Sequence, residues 1–160
     1  MEDYKSAVDA AFKARSERIA AAEKKKLRVK NEQNEFLEKF QIFQDSIVMP
    51  IFEEFGRHYA RDNDSFSIQK NQGGKRNETD SGQWVRFVFA PKGFENVSVI
   101  IFPYLEVRAN KDKLLVELHE ALKPGKDPEA SKLVTEVKIE AADASLLQSH
   151  LVRVVREILG

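Results

Sequence analysis

The chain has 160 residues, 26 basic and 26 acidic, no cysteine, and 42% hydrophobic residues. That describes a globular domain of ordinary size with room for an appendage. A formal charge of zero gives no global attraction to nucleic acid or anionic membrane, and the lack of thiols excludes disulfides, thiolate nucleophiles and thiolate metal sites.

Residues 2–49 contain neither Gly nor Pro, and Ala, Glu, Lys, Arg, Gln and Leu fill most positions. These are strong helix formers, so a helix is predicted from residue 2 to about 49. At steps of four and three it carries Val8, Phe12, Arg15, Ile19, Ala22, Lys26, Val29, Gln33, Phe36, Phe40, Phe43 and Ile47. A heptad stripe of this kind asks for a second helix to cover it. Such a helix is roughly 70 Å long at 1.5 Å per residue. It therefore either projects as an arm or folds back as a hairpin, with residues 31–34 as the weakest point. Arg15, Lys26 and Gln33 in the stripe either fix register or mark where it is uncovered. Pro50 interrupts the ladder as a kink or a junction, and Ile51, Phe52, Phe55 and Tyr59 continue a helical spacing.

Beyond Asp64 the period switches from helical to two. Phe66 and Ile68 suggest a short strand, residues 70–83 with three Gly a loop, and residues 84–90 a strand with Val85, Phe87 and Phe89 on one face. Pro91-Lys92-Gly93 reads as a turn. Residues 97–109 are extended, with Pro103 requiring an edge strand or a bulge. A tight connection at Asn110-Lys111-Asp112 leads into a returning strand over 113–122. In that hairpin Leu105, Val107, Leu114, Val116 and Leu118 share one face. Tyr104, Glu106, Arg108, Glu117 and His119 share the other, and Leu115 is a misfit. One dry and one wet face indicate an antiparallel sheet covered on one side. Residues 123–131 form a loop and residues 133–140 a last strand. A final helix starts at Asp143 or Ser145, the latter with Gln148 in a reciprocal capping pattern. Its broad stripe of Leu147, Leu151, Val154 and Ile158 suits the dry face of the sheet.

The fold class is thus α+β: a long N-terminal helix or helical hairpin, about five antiparallel strands, and a C-terminal helix packed on one face. The expected division is an arm over 1–49, a possible coiled coil, and a body over 50–160. The order of elements is similar to that of helix-grip ligand-binding proteins. That resemblance of architecture implies a small-molecule site between the sheet and the C-terminal helix.

No constellation carries a catalytic motif. There is no Gly-x-Ser-x-Gly elbow and no Gly-x-Gly-x-x-Gly, and Gly73-Gly74-Lys75 lacks the rest of a phosphate-binding loop. Glu54, His58 and Asp62 at helical spacing read as a surface ion-pair ladder, and His119 with Glu117 and Glu106 as a cluster on the wet face. His150 reads as a boundary histidine, and Trp84, Phe87, Phe89 and Tyr104 as core aromatics or the lining of a cavity. Asn77-Glu78-Thr79 and Asn96-Val97-Ser98 match the glycosylation pattern by chance.

Charge along the first helix is split. Residues 13–30 hold eight basic and two acidic residues, a balance of plus six; residues 31–55 hold one basic and six acidic, minus five. Two antiparallel copies, or a folded hairpin, match these signs. The sequence therefore predicts a non-catalytic interaction or assembly protein without cofactor or metal. Phe12, Ile19, Val29, Phe36, Phe40 and Phe43 are its helical interface, and its partner is a second copy (a homodimer or higher) or another helix. A second expectation is nucleic-acid binding through Lys24, Lys25, Lys26, Arg28 and Lys30. The lack of interleaved aromatics and the acidic stretch that follows count against it. The acidic start at Met1-Glu2-Asp3-Tyr4 does not resemble a signal peptide, and no apolar run is long enough to span a bilayer, so a cytoplasmic location is expected.

Overall fold

A computed structural model describes residues 3–61, 64–71, 83–91, 102–122 and 131–160. Asp62, Gly73-Gly74-Lys75, both glycosylation matches, and most of the loops expected at 70–83, 91–93 and 123–131 lie outside these residues, as does the extended stretch before Phe102.

Helix α1 (Tyr4–Phe43) begins at Asp3, whose carboxylate accepts the Lys5 N–H at 3.1 Å. It runs through residues 31–34 without a break. A π-helical turn, Gln44–Val48, follows, in which the Met49 N–H reaches back to the Gln44 carbonyl. Helix α2 (Met49–Tyr59) then starts with Pro50 in its first turn, where a missing N–H is tolerated. Pro50 is therefore a junction. The chain divides into two compact units, Met1–Glu35 and Phe36–Gly160.

In the second unit five strands form an antiparallel meander in chain order: β1 (Ser65–Lys70), β2 (Trp84–Ala90), β3 (Tyr104–Asn110), β4 (Leu115–Ala121) and β5 (Lys132–Val137). Pro103 needs neither an edge nor a bulge. It stands just before the central strand, and its carbonyl takes the Phe89 N–H at 2.8 Å. The β3–β4 register pairs Val107 with Leu118 and Glu106 with His119, closed by four turn residues between Asn110 and Leu115. The Asn110 side chain organises that turn by accepting the N–H groups of Asp112 and Lys113 at 3.1 and 3.0 Å. Leu114, expected in the strand, belongs to the turn. It sits at φ 56°, a conformation costing a non-Gly residue roughly 1–2 kcal/mol, and its half-buried side chain still joins the core.

Alternation places Val85, Phe87, Phe89, Leu105, Val107, Val116 and Leu118 on the dry face, all buried. Helix α3 (Ala144–Leu159) covers this face with Leu147, Leu151 and Val154. Of the two candidate caps, Asp143 is the one used: its Oδ1 accepts the Leu146 N–H at 2.8 Å. Helix α2 adds Phe52, Phe55 and Tyr59, which meet Phe87 edge-on with centroids 5.6, 5.6 and 6.3 Å away. Phe66 stacks on Phe87 at 5.3 Å. Gly56 lets α2 approach Phe66, because a Cβ there would lie 2.3 Å from its ring.

Candidate functional site

The heptad stripe of α1 has two fates. Phe36, Phe40 and Phe43 are 5%, 0% and 5% exposed and belong to the core of the second unit. Their burial is intramolecular, which takes half of the six interface residues named from the sequence out of solvent. The other half is open: Phe12, Ile19 and Val29 are 61%, 49% and 39% exposed, with Val8 beside them at 47%. From Tyr4 to Glu32 every residue of α1 is exposed. Small and long side chains alternate on this part of the stripe. Ala22 lies between the stems of Lys25, Lys26 and Lys30, and together with Val29 and Gln33 they line a shallow open depression of about 390 Å³. A short side chain flanked by long ones is the hole that a knob from a second helix fills. A strict seven-residue repeat drifts by about 20° per turn pair on a straight α-helix. Val8 and Val29 are three repeats apart, so a covering helix has to wind around α1.

Lys24, Lys25, Lys26, Arg28 and Lys30 are all exposed. Successive helical residues turn by about 100°, so these five cations encircle α1 and do not form one phosphate-tracking stripe.

The second cluster lies on the polar face of the sheet. Glu106 is fully buried there. Its Oε1 accepts Arg86 Nη2 and Nε at 2.7 and 3.1 Å, and its Oε2 accepts Arg108 Nε at 2.8 Å and Arg108 Nη2. The Arg86 guanidinium lies over the rings of Trp84 and Tyr104, at 4.7 and 4.0 Å. Stacked between two rings and held by a carboxylate, it forms a lid over Glu106. The face expected to be wet is therefore closed over Glu106, and at the neighbouring strand ends Val88, Tyr104 and Ala121 form a small apolar cluster with Phe102 packed against it. Further along, Glu117 accepts Asn110 Nδ2 at 2.9 Å and pairs with His119 Nε2 at 3.0 Å. Burial works to raise the pKa of Glu117. The hydrogen bonds from Asn110 and His119, with the charges of His119 and Arg108, outweigh it and leave the group below its ordinary range. Sequence reasoning misses the part played by Arg86, which reads only as a polar alternate of β2. The signal is there in the parity: what puts Val85 and Phe87 inside puts Trp84, Arg86 and Val88 together on the other side.

A third group sits under α3. Glu120 shares the parity of Val116 and Leu118, so it faces the dry side, where it is 1% exposed and its Oε1 accepts from Arg153. Its Oε2 and the Nδ1 of His150 are buried without a hydrogen-bond partner among the described residues. Burial, aided by the Arg153 charge and opposed by Glu120, holds the His150 pKa below its ordinary value. Tyr59 Oη likewise has no partner among the described residues, and burial with the nearby Asp64 charge pushes its pKa up to about 12.

Among the other residues named from the sequence, Glu54 and His58 are exposed on α2. Phe87 and Phe89 are core; Trp84 and Tyr104 flank Arg86 on the opposite face. Among the described residues no group of three or more His, Asp or Glu could hold a metal ion, and no helix is long and apolar enough to cross a membrane. Leu105, Leu118, Leu147 and Leu151 are fully buried in one cluster between the sheet and α3. Protein-family models, curated proteins and solved structures, each compared with the chain, give no match.

Proposed function

We propose that this is a non-catalytic interaction protein whose working surface is the N-terminal part of α1. The observation that carries this reading is the contrast within one heptad stripe: Phe36, Phe40 and Phe43 are sheltered by the core, whereas Val8, Phe12, Ile19 and Val29 stand in water. Covering what is left exposed of each contributes roughly 1–2 kcal/mol. Isolated helices draw little stability from propensity alone. A covering helix therefore supplies both a favourable transfer and a reason for the stripe. Three further features support a presenting role. The carboxylate of Glu106 is occupied by two guanidinium groups, the space under α3 is filled by leucines, and the basic run encircles α1.

The test is directional photo-crosslinking in the native cell. A crosslinking residue at Phe12 or Ile19 is expected to give a discrete protein adduct, and one at Lys13 or Lys24, on the far side of the helix, is not. Equal adducts from both sides, or none from Phe12 and Ile19, would overturn the reading.

A further inference from the structure

We infer that the helix covering the α1 stripe is an acidic amphipathic helix of a different protein, not a second copy of this chain. The inference rests on the interaction reading above and concerns only who the partner is. Self-association is attractive on sequence grounds because the basic residues 13–30 can face the acidic residues 31–55 of a copy. That alignment needs Phe36, Phe40 and Phe43 as the second half of the seam, and all three are already in the core.

What remains exposed runs from Val8 to Val29, and its charge is one-sided. Arg15 and Lys26 occupy stripe positions. Arg18 and Lys25 lie at about 0° and 340° around the axis, and Lys30 at about 120°, flanking a stripe centred near 70°. Asp9 and Glu23 are the carboxylates flanking this stretch; between residues 15 and 30 the face carries five cations and one anion, Glu23. Overlaying the exposed stretch on a copy, antiparallel and in heptad register, sets Phe12 against Val29 and Arg15 against Lys26. A parallel overlay sets Arg15 against Arg15. Sliding by one heptad sets Val8 against Lys26 and Arg15 against Ile19; this separates the cations but still buries them against apolar residues, because no stripe position of the copy is acidic. Burying an unpaired charge is strongly unfavourable. A like-charge layer adds repulsion. A helix with apolar knobs for Phe12, Ile19 and Val29 and Glu or Asp opposite Arg15 and Lys26 removes both penalties. Its own acidic flanks then meet Arg18, Lys25 and Lys30 and set its direction.

The probe is the chain itself with Arg15→Glu and Lys26→Glu. In the antiparallel overlay on the wild type, each introduced carboxylate faces a cation: position 26 of the variant meets Arg15, and position 15 meets Lys26. The variant is therefore an acidic-seam partner of known geometry. Light scattering is expected to show the wild type alone and the variant alone as monomers, and an equimolar mixture as a 1:1 complex. The mixed complex should be at least about tenfold tighter than either self-complex, should weaken with salt, and should vanish when Phe12 and Ile19 become Ser. Circular dichroism and urea unfolding of each variant confirm that the fold is intact. A wild-type dimer that Phe12→Ser/Ile19→Ser abolishes would overturn the acidic-partner inference and leave the interaction reading standing. No mixed complex, or binding only to phosphatidylserine-containing phosphatidylcholine vesicles or duplex DNA, would overturn it as well. The crosslinking pattern from Phe12 and Lys13 then decides whether the interaction reading survives.

Discussion

Replacing Glu106 by Gln tests whether the closed centre of the polar sheet face is a structural clamp. The carboxylate is fully buried and receives four guanidinium N–H groups, the Arg86 Nη2 contact at 2.7 Å. At an effective dielectric of about 20, one such pair attracts by about 6 kcal/mol before desolvation. Much of that is offset by taking the charges out of water, so the gross figure does not appear in stability. Removing one partner is different: Gln keeps the volume but removes the charge, and one of its two polar ends becomes a donor facing a donor. Stranding a buried partner of an ion pair costs about 3–5 kcal/mol. Arg86 and Arg108 are 24% and 30% exposed, so water recovers part of their solvation, and a loss of about 2–4 kcal/mol is expected. Urea unfolding followed by tryptophan fluorescence measures it directly, since Trp84 packs against the Arg86 guanidinium. Adding Arg86→Met and Arg108→Met to Glu106→Gln should recover part of the loss. A single-mutant effect below about 0.5 kcal/mol, the level of an ordinary surface change, would refute the clamp.

Other consequences can be checked in the same assay. Phe40→Ala should cost about 3–5 kcal/mol, whereas Phe12→Ala on the same helix should stay within about 0.5 kcal/mol; similar values for both would show that the two ends of the stripe do not differ in burial. Gly56→Ala gains about 1 kcal/mol of helix propensity. It also forces the Phe66 ring out of its stack on Phe87, an overpacking cost of about 1–3 kcal/mol, so a net loss of up to about 2 kcal/mol is expected and an increase in stability would refute the close contact. His150 is held neutral by burial, so the unfolded chain binds more protons at mildly acidic pH. Its contribution is fully present above the ordinary value of 6.5 and falls as pH drops below it. Glu117 adds a further loss as pH falls below its ordinary 4.5. His150→Leu should flatten the dependence of the urea midpoint between about pH 7.5 and about pH 5.5, and an unchanged slope would count against a buried neutral imidazole.

Local pattern carried much of this architecture. Period two in Val85–Phe87–Phe89 and in Leu105–Val107 was enough to place β2 and β3, because a one-residue slip would expose every one of these side chains. The seven-residue stripe, with neither Gly nor Pro over residues 2–49, located α1. What local pattern could not supply was the occupant of each face. Nothing in the spacing of Phe36, Phe40 and Phe43 distinguishes a core from a partner; only the core they join, built from distant parts of the chain, does. Pro103 reads as a defect until its carbonyl is seen to continue the ladder from Phe89. Glu120 and Arg153 are 33 residues apart in sequence, so their pairing is invisible to any window. Asp143 and Ser145 were both legitimate caps, and backbone direction at the helix start chose between them.

The π-helical turn at Gln44–Val48 has a consequence for insertions and deletions. Advancing at about 100° per residue, an uninterrupted α-helix would aim Phe52, Phe55 and Tyr59 about a third of a circle away from the direction of Phe36, Phe40 and Phe43. A π-helical turn accommodates one surplus residue. That surplus takes back about 100° and brings both phenylalanine sets to bear on the same core. The rod thus behaves as an ordinary helix carrying a single inserted residue at Gln44–Val48. Shortening the chain by one there is the excision that leaves both aromatic sets in phase; the same excision within Phe36–Phe43 or Met49–Tyr59 throws one of them out of alignment.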